Sequence, residues 1–272
     1  MIRFAHVDYS IGGRPILEDV SFVVEKGTTK IILGPSGIGK STALRLILGL
    51  VRPSRGDIFV DGQSVVHANG DELNRIRQRI GMVFQDGALF DSLTVGENIG
   101  YWLLENSHAR LDEVDRIARE KLALVGLDPE LIDSMPDELS LGMQRRVAIA
   151  RALAAGQPKV ILYDEPTTGL DPNSLELVTD VIVRLREDLD MTSIVVTHQI
   201  PDALKVGSDF LFLYDRTVHF EGQARDLALS EDPDVAHFLD PFKQSLVTAV
   251  ASFGATGPGA GAASAAERTH PR

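Results

Sequence analysis

The sequence predicts an α/β protein built around a mainly parallel β-sheet, and three observations support this fold class. Short apolar strands alternate with helical segments along most of the chain, as in parallel sheets with right-handed crossovers. A glycine-rich loop lies between one apolar strand and a helix. The chain has 272 residues, of which 44% are hydrophobic, and this is enough to bury a large core.

The amino-terminal segment predicts an antiparallel β-lobe. Apolar and polar residues alternate at positions 2–10 and 20–25, and two glycines at positions 12–13 supply a turn between them. Another strand is predicted at residues 57–60, and the Asp-Gly pair at 61–62 is typical of a hairpin turn. These strands are expected to pair with one another.

The middle of the chain predicts a helical insertion between two α/β parts. A polar helix is expected at residues 71–79 and a buried strand at 80–84. Apolar residues then recur at helical spacing over residues 91–126, without a strong strand signal, which predicts a helical subdomain over about 86–155. The expected elements after it are strands at 159–163, 193–196, 210–214 and 218–221, and helices at 145–154 and 173–189.

The carboxy-terminal segment has a different composition. Residues 245–266 carry almost no charge and are rich in Ala, Gly, Ser, Thr and Pro, so they offer too little apolar surface to offset the entropy of ordering. We therefore expect one folded domain over residues 1–240, a low-complexity extension over 241–272, and disorder from about residue 255.

Composition also restricts the cellular setting. The chain lacks an apolar run of about 18 residues and begins without signal-peptide features, so we expect a cytoplasmic chain that does not span a membrane alone. It has no cysteine, which excludes disulfides and thiolate metal sites. The net charge of −12 argues against a nucleic-acid partner, since nucleic-acid binding normally relies on a basic surface.

A complete phosphate-binding loop of the form G-x-x-x-x-G-K-[ST] occupies residues 34–41. Its glycines let backbone N–H groups surround phosphates, Lys40 reaches the β- and γ-phosphates, and Ser41 ligates Mg²⁺. The strand before it and the helix after it provide the context that this motif requires. The predicted nucleotide contacts are Gly34, Pro35, Ser36, Gly37, Ile38, Gly39, Lys40, Ser41 and Thr42. The loop predicts binding of ATP or GTP.

Two adjacent carboxylates end a later apolar strand. Asp164 and Glu165 follow the strand at 159–163, and ligands of open parallel sheets bind at the carboxyl ends of strands. An aspartate in this position holds Mg²⁺ in P-loop enzymes, and a neighbouring carboxylate can activate water. We assign the metal to Asp164 and the general-base role to Glu165.

With these motifs in order, the chain resembles the ATPase subunits of ABC transporters over about residues 1–240. The family's signature segment corresponds to residues 139–144, Leu-Ser-Leu-Gly-Met-Gln, which precede a predicted helix. The resemblance implies a P-loop ABC ATPase fold with a RecA-like core, an antiparallel β-lobe and a helical subdomain. It also implies an enzyme that hydrolyses MgATP to drive transport.

The resemblance assigns further roles residue by residue. In this family the signature of one subunit covers the γ-phosphate held by the other, which gives a homodimer with ATP between the subunits. Ser140 and Gly142 are the implied phosphate contacts, and Leu141 stands where the family usually has glycine. The other implied contacts are Tyr9 stacking on adenine, Gln85 sensing Mg²⁺ and the attacking water, Asp171 at the dimer interface, and His198 at the γ-phosphate.

Finer similarities point to one branch of the family. Segments 34–40, 84–90 and 232–240, together with Met143, resemble the Mla/Mce-type phospholipid-transport ATPases. This implies a peripheral protein on the cytoplasmic face of the inner membrane. Its implied partners are a transmembrane permease, through which it joins the membrane, and an Mce-domain lipid-binding protein.

Two structural questions and two functional alternatives stay open at this point. Residues 88–90 either receive a permease helix or pack within the helical subdomain. Residues 232–240 form an apolar helical face that docks on their own subunit or on a neighbour. The chain could instead serve another ABC transporter, such as a polar amino-acid importer, or a soluble ABC ATPase for cofactor assembly.

Overall fold

The computed structural model describes residues 1–107 and 109–243, and it confirms the α/β fold. The predicted disorder from about residue 255 lies outside the described residues, as does nearly all of the extension. The elements in chain order are β1 (Ile2–Ile11), β2 (Arg14–Val24), β3 (Thr29–Leu33), α1 (Lys40–Ile47), β4 (Arg55–Val60), β5 (Gln63–Ser64), α2 (Gly70–Arg77), β6 (Ile80–Val83), α3 (Val95–Asn106), α4 (Leu111–Leu124), α5 (Leu141–Ala154), β7 (Val160–Asp164), α6 (Pro172–Leu189), β8 (Thr192–Val196), α7 (Ile200–Val206), β9 (Asp209–Tyr214), β10 (Thr217–Gln223), α8 (Ala224–Ala228) and α9 (Pro233–Leu239).

The larger sheet has six strands in the order β10-β9-β3-β8-β7-β6. Its pairings from β9 to β6 are parallel, and β10 lies antiparallel to β9 at one edge. Every residue of β3 is buried, the polar Thr29 and Lys30 as well as the apolar residues 31–33. Because β3 and β7 are parallel and separated only by β8, the segments that follow them meet at one edge of the sheet.

The smaller sheet is antiparallel, in the order β2-β1-β4-β5, and forms the predicted β-lobe. Phe4 and Phe22 stack across β1 and β2 with ring centroids 4.3 Å apart. The Asp-Gly turn at 61–62 joins β4 to β5 as the sequence predicts, with Val60 paired to Gln63. Leu44 of α1 and Ile32 of β3 belong to the same buried cluster as this sheet, so the lobe is packed onto the helix that follows the glycine-rich loop.

Three α-helices lie between β6 and β7 where the helical insertion is predicted. Thr94 and Glu97 form a capping box at the start of α3. Strand β6 ends at Val83, one residue earlier than predicted, and Phe84 is exposed. Helix α5 begins four residues earlier than the predicted Arg145, because Ser140 caps it by accepting a hydrogen bond from the Met143 N–H at 3.3 Å.

The final helix packs against its own domain. Val235 and Leu239 of α9 are buried in the main core, and the Phe238 ring lies 4.9 Å from the ring of Phe212 on β9. This answers the question about residues 232–240 in favour of their own subunit. Among the described residues, the helices are too short or too polar to cross a membrane.

Candidate functional site

The glycine-rich loop folds back between β3 and α1 because two of its positions require glycine. Gly39 has φ 108° and Gly34 has φ 149°, in the region that L side chains rarely adopt. A Cβ on Gly34 would lie 2.3 Å from the carbonyl oxygen of Leu213. The loop can therefore lie directly against β9 while its N–H groups stay available at the start of α1.

Lys40 is held inside this loop. Its buried Nζ donates hydrogen bonds to the carbonyl oxygens of Gly34, at 2.8 Å, and Pro35, at 3.0 Å. The same Nζ lies 3.8 Å from Oε1 of Glu165. Burial lowers the pKa of Lys40, and the nearby carboxylates Glu165 and Asp164 oppose that shift. The ammonium group is thus placed where the oxygen atoms of a bound anion can replace the two carbonyl oxygens as its partners.

Ser41 and Asp164 meet as the sequence predicts. The Ser41 hydroxyl donates to Oδ1 of Asp164 at 2.7 Å, which joins the first turn of α1 to the end of β7. Burial raises the pKa of Asp164, while the hydrogen bond from Ser41 opposes the rise. A hydroxyl and a carboxylate that converge beside a phosphate loop are the oxygen donors that Mg²⁺ prefers, so these residues fit that ion.

Glu165 occupies a strained and crowded position. Its φ is 50°, in the left-handed region, and its N–H donates to the Val196 carbonyl oxygen at 2.9 Å. His198 Nδ1 lies 2.9 Å from Glu165 Oε1, and the Thr168 hydroxyl donates to Oε2 at 3.1 Å. Both carboxylate oxygens therefore have a partner, although the side chain faces the same space as Lys40.

These groups line an open cleft of about 370 Å³. A volume of this size suits a nucleotide rather than a single small ion. The residues that line the cleft are Ile11, Ile16, Ser36, Gly37, Gly39, Lys40, Ser41, Thr42, Gln85, Glu165 and His198. Gly34, Pro35 and Ile38 complete the loop without lining the cleft, and Asp164 lies behind Ser41.

Tyr9 is not among the described residues that line the cleft, and its role in stacking on adenine stays a prediction. Tyr9 is half-buried and packs against the core of the β-lobe. The pairing of β1 with β2 shifts register between Tyr9 and Ser10, and such a bulge re-aims the side chains that follow it. Ile11 and Ile16 reach the cleft instead. Sequence reasoning missed both, because neither is aromatic.

Three other predicted contacts are not among the described residues that line the cleft. Ser140 caps α5, and Asp171 caps α6 by accepting from the N–H groups of Asn173 and Ser174, both at 3.1 Å. The two helix starts are in contact, since a Cβ on Gly142 would lie 2.5 Å from the Cβ of Ser174. The structure therefore brings the starts of α5 and α6 together, with Ser140 and Asp171 exposed and Gly142 buried against Ser174.

The loop after β6 presents Gln85 to the cleft. Gln85 is exposed and lines the wall opposite the phosphate loop. Leu89 is half-buried against the main core, whereas Phe90 is exposed and its ring lies 4.7 Å from that of Tyr101. The question about residues 88–90 therefore has a different answer for each residue. Leu89 packs within the helical region, whereas Phe90 stays exposed.

Comparison with known families agrees with this geometry. A family model described as ABC transporter matches residues 17–168, which include the phosphate loop, the signature segment, Asp164 and Glu165. This chain belongs to the ABC transporter family. Members of this family bind and hydrolyse ATP, so the chain is an ATPase subunit of an ABC transporter.

Similar proteins cover most of the chain. It is 39% identical to the intermembrane phospholipid transport system ATP-binding protein MlaF of Haemophilus influenzae, over 88% of this chain and 90% of that protein. The MlaF of Escherichia coli K12 is 37% identical over 88% of each chain. The protein of Mycobacterium tuberculosis H37Rv named "Probable ribonucleotide transport ATP-binding protein mkl" is 38% identical, over 85% of this chain and 64% of that protein.

Solved structures confirm the fold. The dimeric structure of a post-hydrolysis state of the ATP-binding cassette MJ0796, bound to ADP and Pi, has a TM-score of 0.73 and 35% identity. The match covers 82% of this chain and 98% of that one. CbiO1 from Clostridium perfringens, part of the ABC transporter complex cbiONQ, has a TM-score of 0.75 and 27% identity over 88% of this chain and 98% of that chain. Both neighbours are ABC cassettes, as the predicted fold class requires.

Proposed function

We propose that this chain hydrolyses MgATP to drive a permease that moves phospholipid between the inner and outer membranes. The observation that carries the catalytic part is the position of Glu165 between His198 and Lys40 in the cleft. The lipid substrate rests on the likeness to two MlaF proteins over most of the chain. The proposal includes a peripheral position on the cytoplasmic face of the inner membrane.

The roles of the cleft residues follow from their contacts. Backbone N–H groups of the loop bind the phosphates, and Lys40 exchanges the Gly34 and Pro35 carbonyl groups for phosphate oxygens. Ser41 and Asp164 would hold Mg²⁺, with Gln85 on the opposite wall. The ion supplies neutralisation of the negative charge on the β- and γ-phosphates.

Glu165 acts as the general base. Its carboxylate accepts a proton from the attacking water, and Thr168 and His198 fix the orientation of its two oxygens. His198, on the cleft wall, also donates to the γ-phosphate. Ile11 and Ile16 add an apolar contact for the base of the nucleotide, beside the stacking predicted for Tyr9.

The surface that carries Ser140, Gly142 and Asp171 makes the site a dimer site. These residues are not among those that line the cleft of their own chain, so they reach a nucleotide on a second copy. The dimeric MJ0796 structure with ADP and Pi is a precedent in a neighbour of 35% identity. ATP binding closes the homodimer, and hydrolysis lets it open.

An exposed apolar surface beside Gln85 suits the permease. It consists of Phe90, Tyr101 and Leu104, each about 40% exposed. Asn98 fixes the backbone under it, accepting from the Phe90 N–H at 2.8 Å and donating to the Phe90 carbonyl oxygen at 3.0 Å. A rigid apolar surface next to a nucleotide-sensing loop can receive a helix and follow dimer closure.

A pull-down from detergent-solubilised native membranes tests the transport part. The expected result is co-purification of a permease and an Mce-domain lipid-binding protein. Recovery of a polar amino-acid-binding system or a ribonucleotide transporter would show that the transported substrate is not a lipid. Recovery of soluble partners alone would contradict a transporter role.

Phe90→Asp should lose the permease while retaining ATP binding, because a carboxylate buried in an apolar contact is strongly unfavourable. Leu229→Asp, at an exposed leucine that directly follows α8, is the matched control and should retain the permease.

A further inference from the structure

Two arginines of α5 hold the backbone of the Gln85 loop. Arg145 donates from Nη1 to the Phe84 carbonyl oxygen at 2.7 Å. Arg151 donates from Nη1 to the Ala88 carbonyl oxygen and from Nη2 to that of Gly87, each at 2.7 Å. The two side chains therefore grip the loop on both sides of Gln85.

The loop backbone has an unusual shape at the Arg151 contact. Gly87 has φ 74° and Ala88 has φ 48°, so two consecutive residues lie in the left-handed region. For alanine this conformation is unfavourable and persists only when the surroundings impose it. The planar guanidinium of Arg151 binds both carbonyl groups at once, a geometry that a single ammonium group cannot reproduce. Arg151 thus stabilises a strained loop conformation.

Neither arginine forms an ion pair among the described residues. Within the described residues, no carboxylate lies within 4.0 Å of the guanidinium of Arg145 or Arg151. Burial lowers the pKa of both side chains. Arg151 depends on the backbone carbonyl groups for compensation, and Arg145 on a carbonyl group together with the nearby charge of Asp86, so the loop and the helix stabilise each other.

The same contacts link three parts of the molecule. Helix α5 begins at the Ser140 cap, the loop presents Gln85 to the cleft, and the Arg151 guanidinium carbon lies 5.9 Å from the centre of the Phe90 ring. We propose that Arg145 and Arg151 are positioning residues that join the Gln85 loop to α5, so that Gln85, the Ser140 end and the Phe90 surface move as one body. This rests on the role proposed above for Gln85.

The first experiment compares ATP hydrolysis by full-length Arg151→Gln, Arg151→Lys and Arg146→Gln. Arg146 lies on the same helix and donates from Nη1 to the Gly126 carbonyl oxygen at 2.8 Å, away from the Gln85 loop. It is therefore a matched control for the loss of arginine-to-backbone bonds. We expect kcat of Arg151→Gln to fall about 10- to 100-fold, the effect of a misplacement of about 1 Å, with ATP affinity unchanged. Arg151→Lys should recover part of this loss, and Arg146→Gln should retain kcat.

A double-mutant cycle with Gln85→Ala then tests the route of the effect. If Arg151 acts through Gln85, Arg151→Gln should lower kcat little further once Gln85 is alanine. The inference would be overturned if the kcat loss of the double variant equalled the product of the two single losses, or if Arg151→Gln and the Arg146→Gln control lost equal kcat. Either result would leave the role of Gln85 intact. A normal kcat in Gln85→Ala alone would instead overturn that role, and this inference with it.

Discussion

The carboxylate of Glu165 is held in place by hydrogen bonds and by a nearby positive charge. His198 and Lys40 both approach Oε1, and the Thr168 hydroxyl binds Oε2. The left-handed backbone at Glu165 directs the carboxylate into the cleft, which an extended residue at the end of β7 would not do. Strain of this kind persists at functional sites because the surrounding structure imposes it.

The first prediction concerns this carboxylate. Glu165→Gln keeps the size and one acceptor oxygen but cannot accept the proton from water. We expect kcat for ATP hydrolysis to fall about 10²- to 10⁴-fold with ATP binding retained, as for loss of a general base. Steady-state hydrolysis and a fluorescent-nucleotide titration measure the two quantities. Glu187→Gln, an exposed site on α6, is the control, and a near-normal rate in Glu165→Gln would contradict the assignment.

At the scale of elements, α5 and α9 each begin at a side-chain cap, and loss of the two caps should affect different properties of the protein. Ser140 caps α5 on the exposed surface next to α6, whereas Asp232 caps α9, which is packed onto the main core. Asp232 accepts from the N–H groups of Asp234 and Val235 through Oδ1, and its Oδ2 lies 3.1 Å from Nδ1 of His219. Ser140 is therefore an exposed cap, whereas Asp232 fixes a helix that is packed onto the core.

The second prediction separates capping from phosphate contact at Ser140. Aspartate caps helices as well as serine does, so Ser140→Asp should keep the thermal stability of the chain. Its negative charge would repel the γ-phosphate across the dimer, and ATP hydrolysis should be lost. Leu141→Gly removes a side chain that is 64% exposed and should retain hydrolysis. Normal hydrolysis by Ser140→Asp would argue against ATP bound between two subunits.

The third prediction concerns the pH dependence of α9. The Val235 N–H, followed by the hydrogen bond with His219, holds the pKa of Asp232 below its usual value. Its charge therefore stabilises the fold fully above the ordinary aspartate pKa of about 3.9, and this contribution is lost as pH falls through the lower pKa of the folded state.

Asp232→Asn keeps a good cap without the charge. Its unfolding free energy should be below wild type at pH 7, and the difference should shrink toward pH 3, as measured by denaturant unfolding. Asp232→Ala should cost about 1 kcal/mol at pH 7 through loss of the cap. Glu231→Gln, at the exposed neighbour, is the control. A difference that grows on acidification would contradict the pairing.

At the scale of the whole molecule, Lys30 forms ion pairs that join β3 to the two strands at the edge of the large sheet. Its side chain is 1% exposed, and Nζ pairs with Asp209 on β9 at 2.8 Å and with Glu221 on β10. The ammonium also lies 5.8 Å from the centre of the Phe22 ring on β2. One buried cation thus connects the strand before the phosphate loop, the edge hairpin and the β-lobe.

The fourth prediction follows from that ion pair. Lys30→Met leaves two facing carboxylates without their cation and should lower the unfolding free energy by about 3 kcal/mol, near the low end for a broken buried pair because both carboxylates are partly solvated. Neutralising them as well, with Asp209→Asn and Glu221→Gln, should recover much of the loss. Lys26→Met removes an exposed pair with Asp190 and should lower the unfolding free energy far less. A similar loss in both single variants would contradict the role of burial.

Sequence patterns predicted the order of elements and most of the cleft because both depend on local signals. Lys40, Ser41, Asp164, Glu165, Gln85 and His198 come at strand ends or helix starts, and parallel strands bring such ends together. The position of Ile11 and Ile16 on the cleft was missed, because a register shift in β1 cannot be read from alternation. The grip of Arg151 on residues 87 and 88 was missed too, since it joins groups 63 and 64 positions apart.

The contact between Gly142 and Ser174 has an evolutionary consequence. Any β-carbon at position 142 would lie 2.5 Å from both the Cβ and the Oγ of Ser174, so alanine is excluded while serine stays. A change to glycine at 174 would remove the obstacle and make alanine at 142 accessible as a second step. The two positions are therefore coupled, because alanine at 142 fits the fold only after residue 174 has lost its side chain.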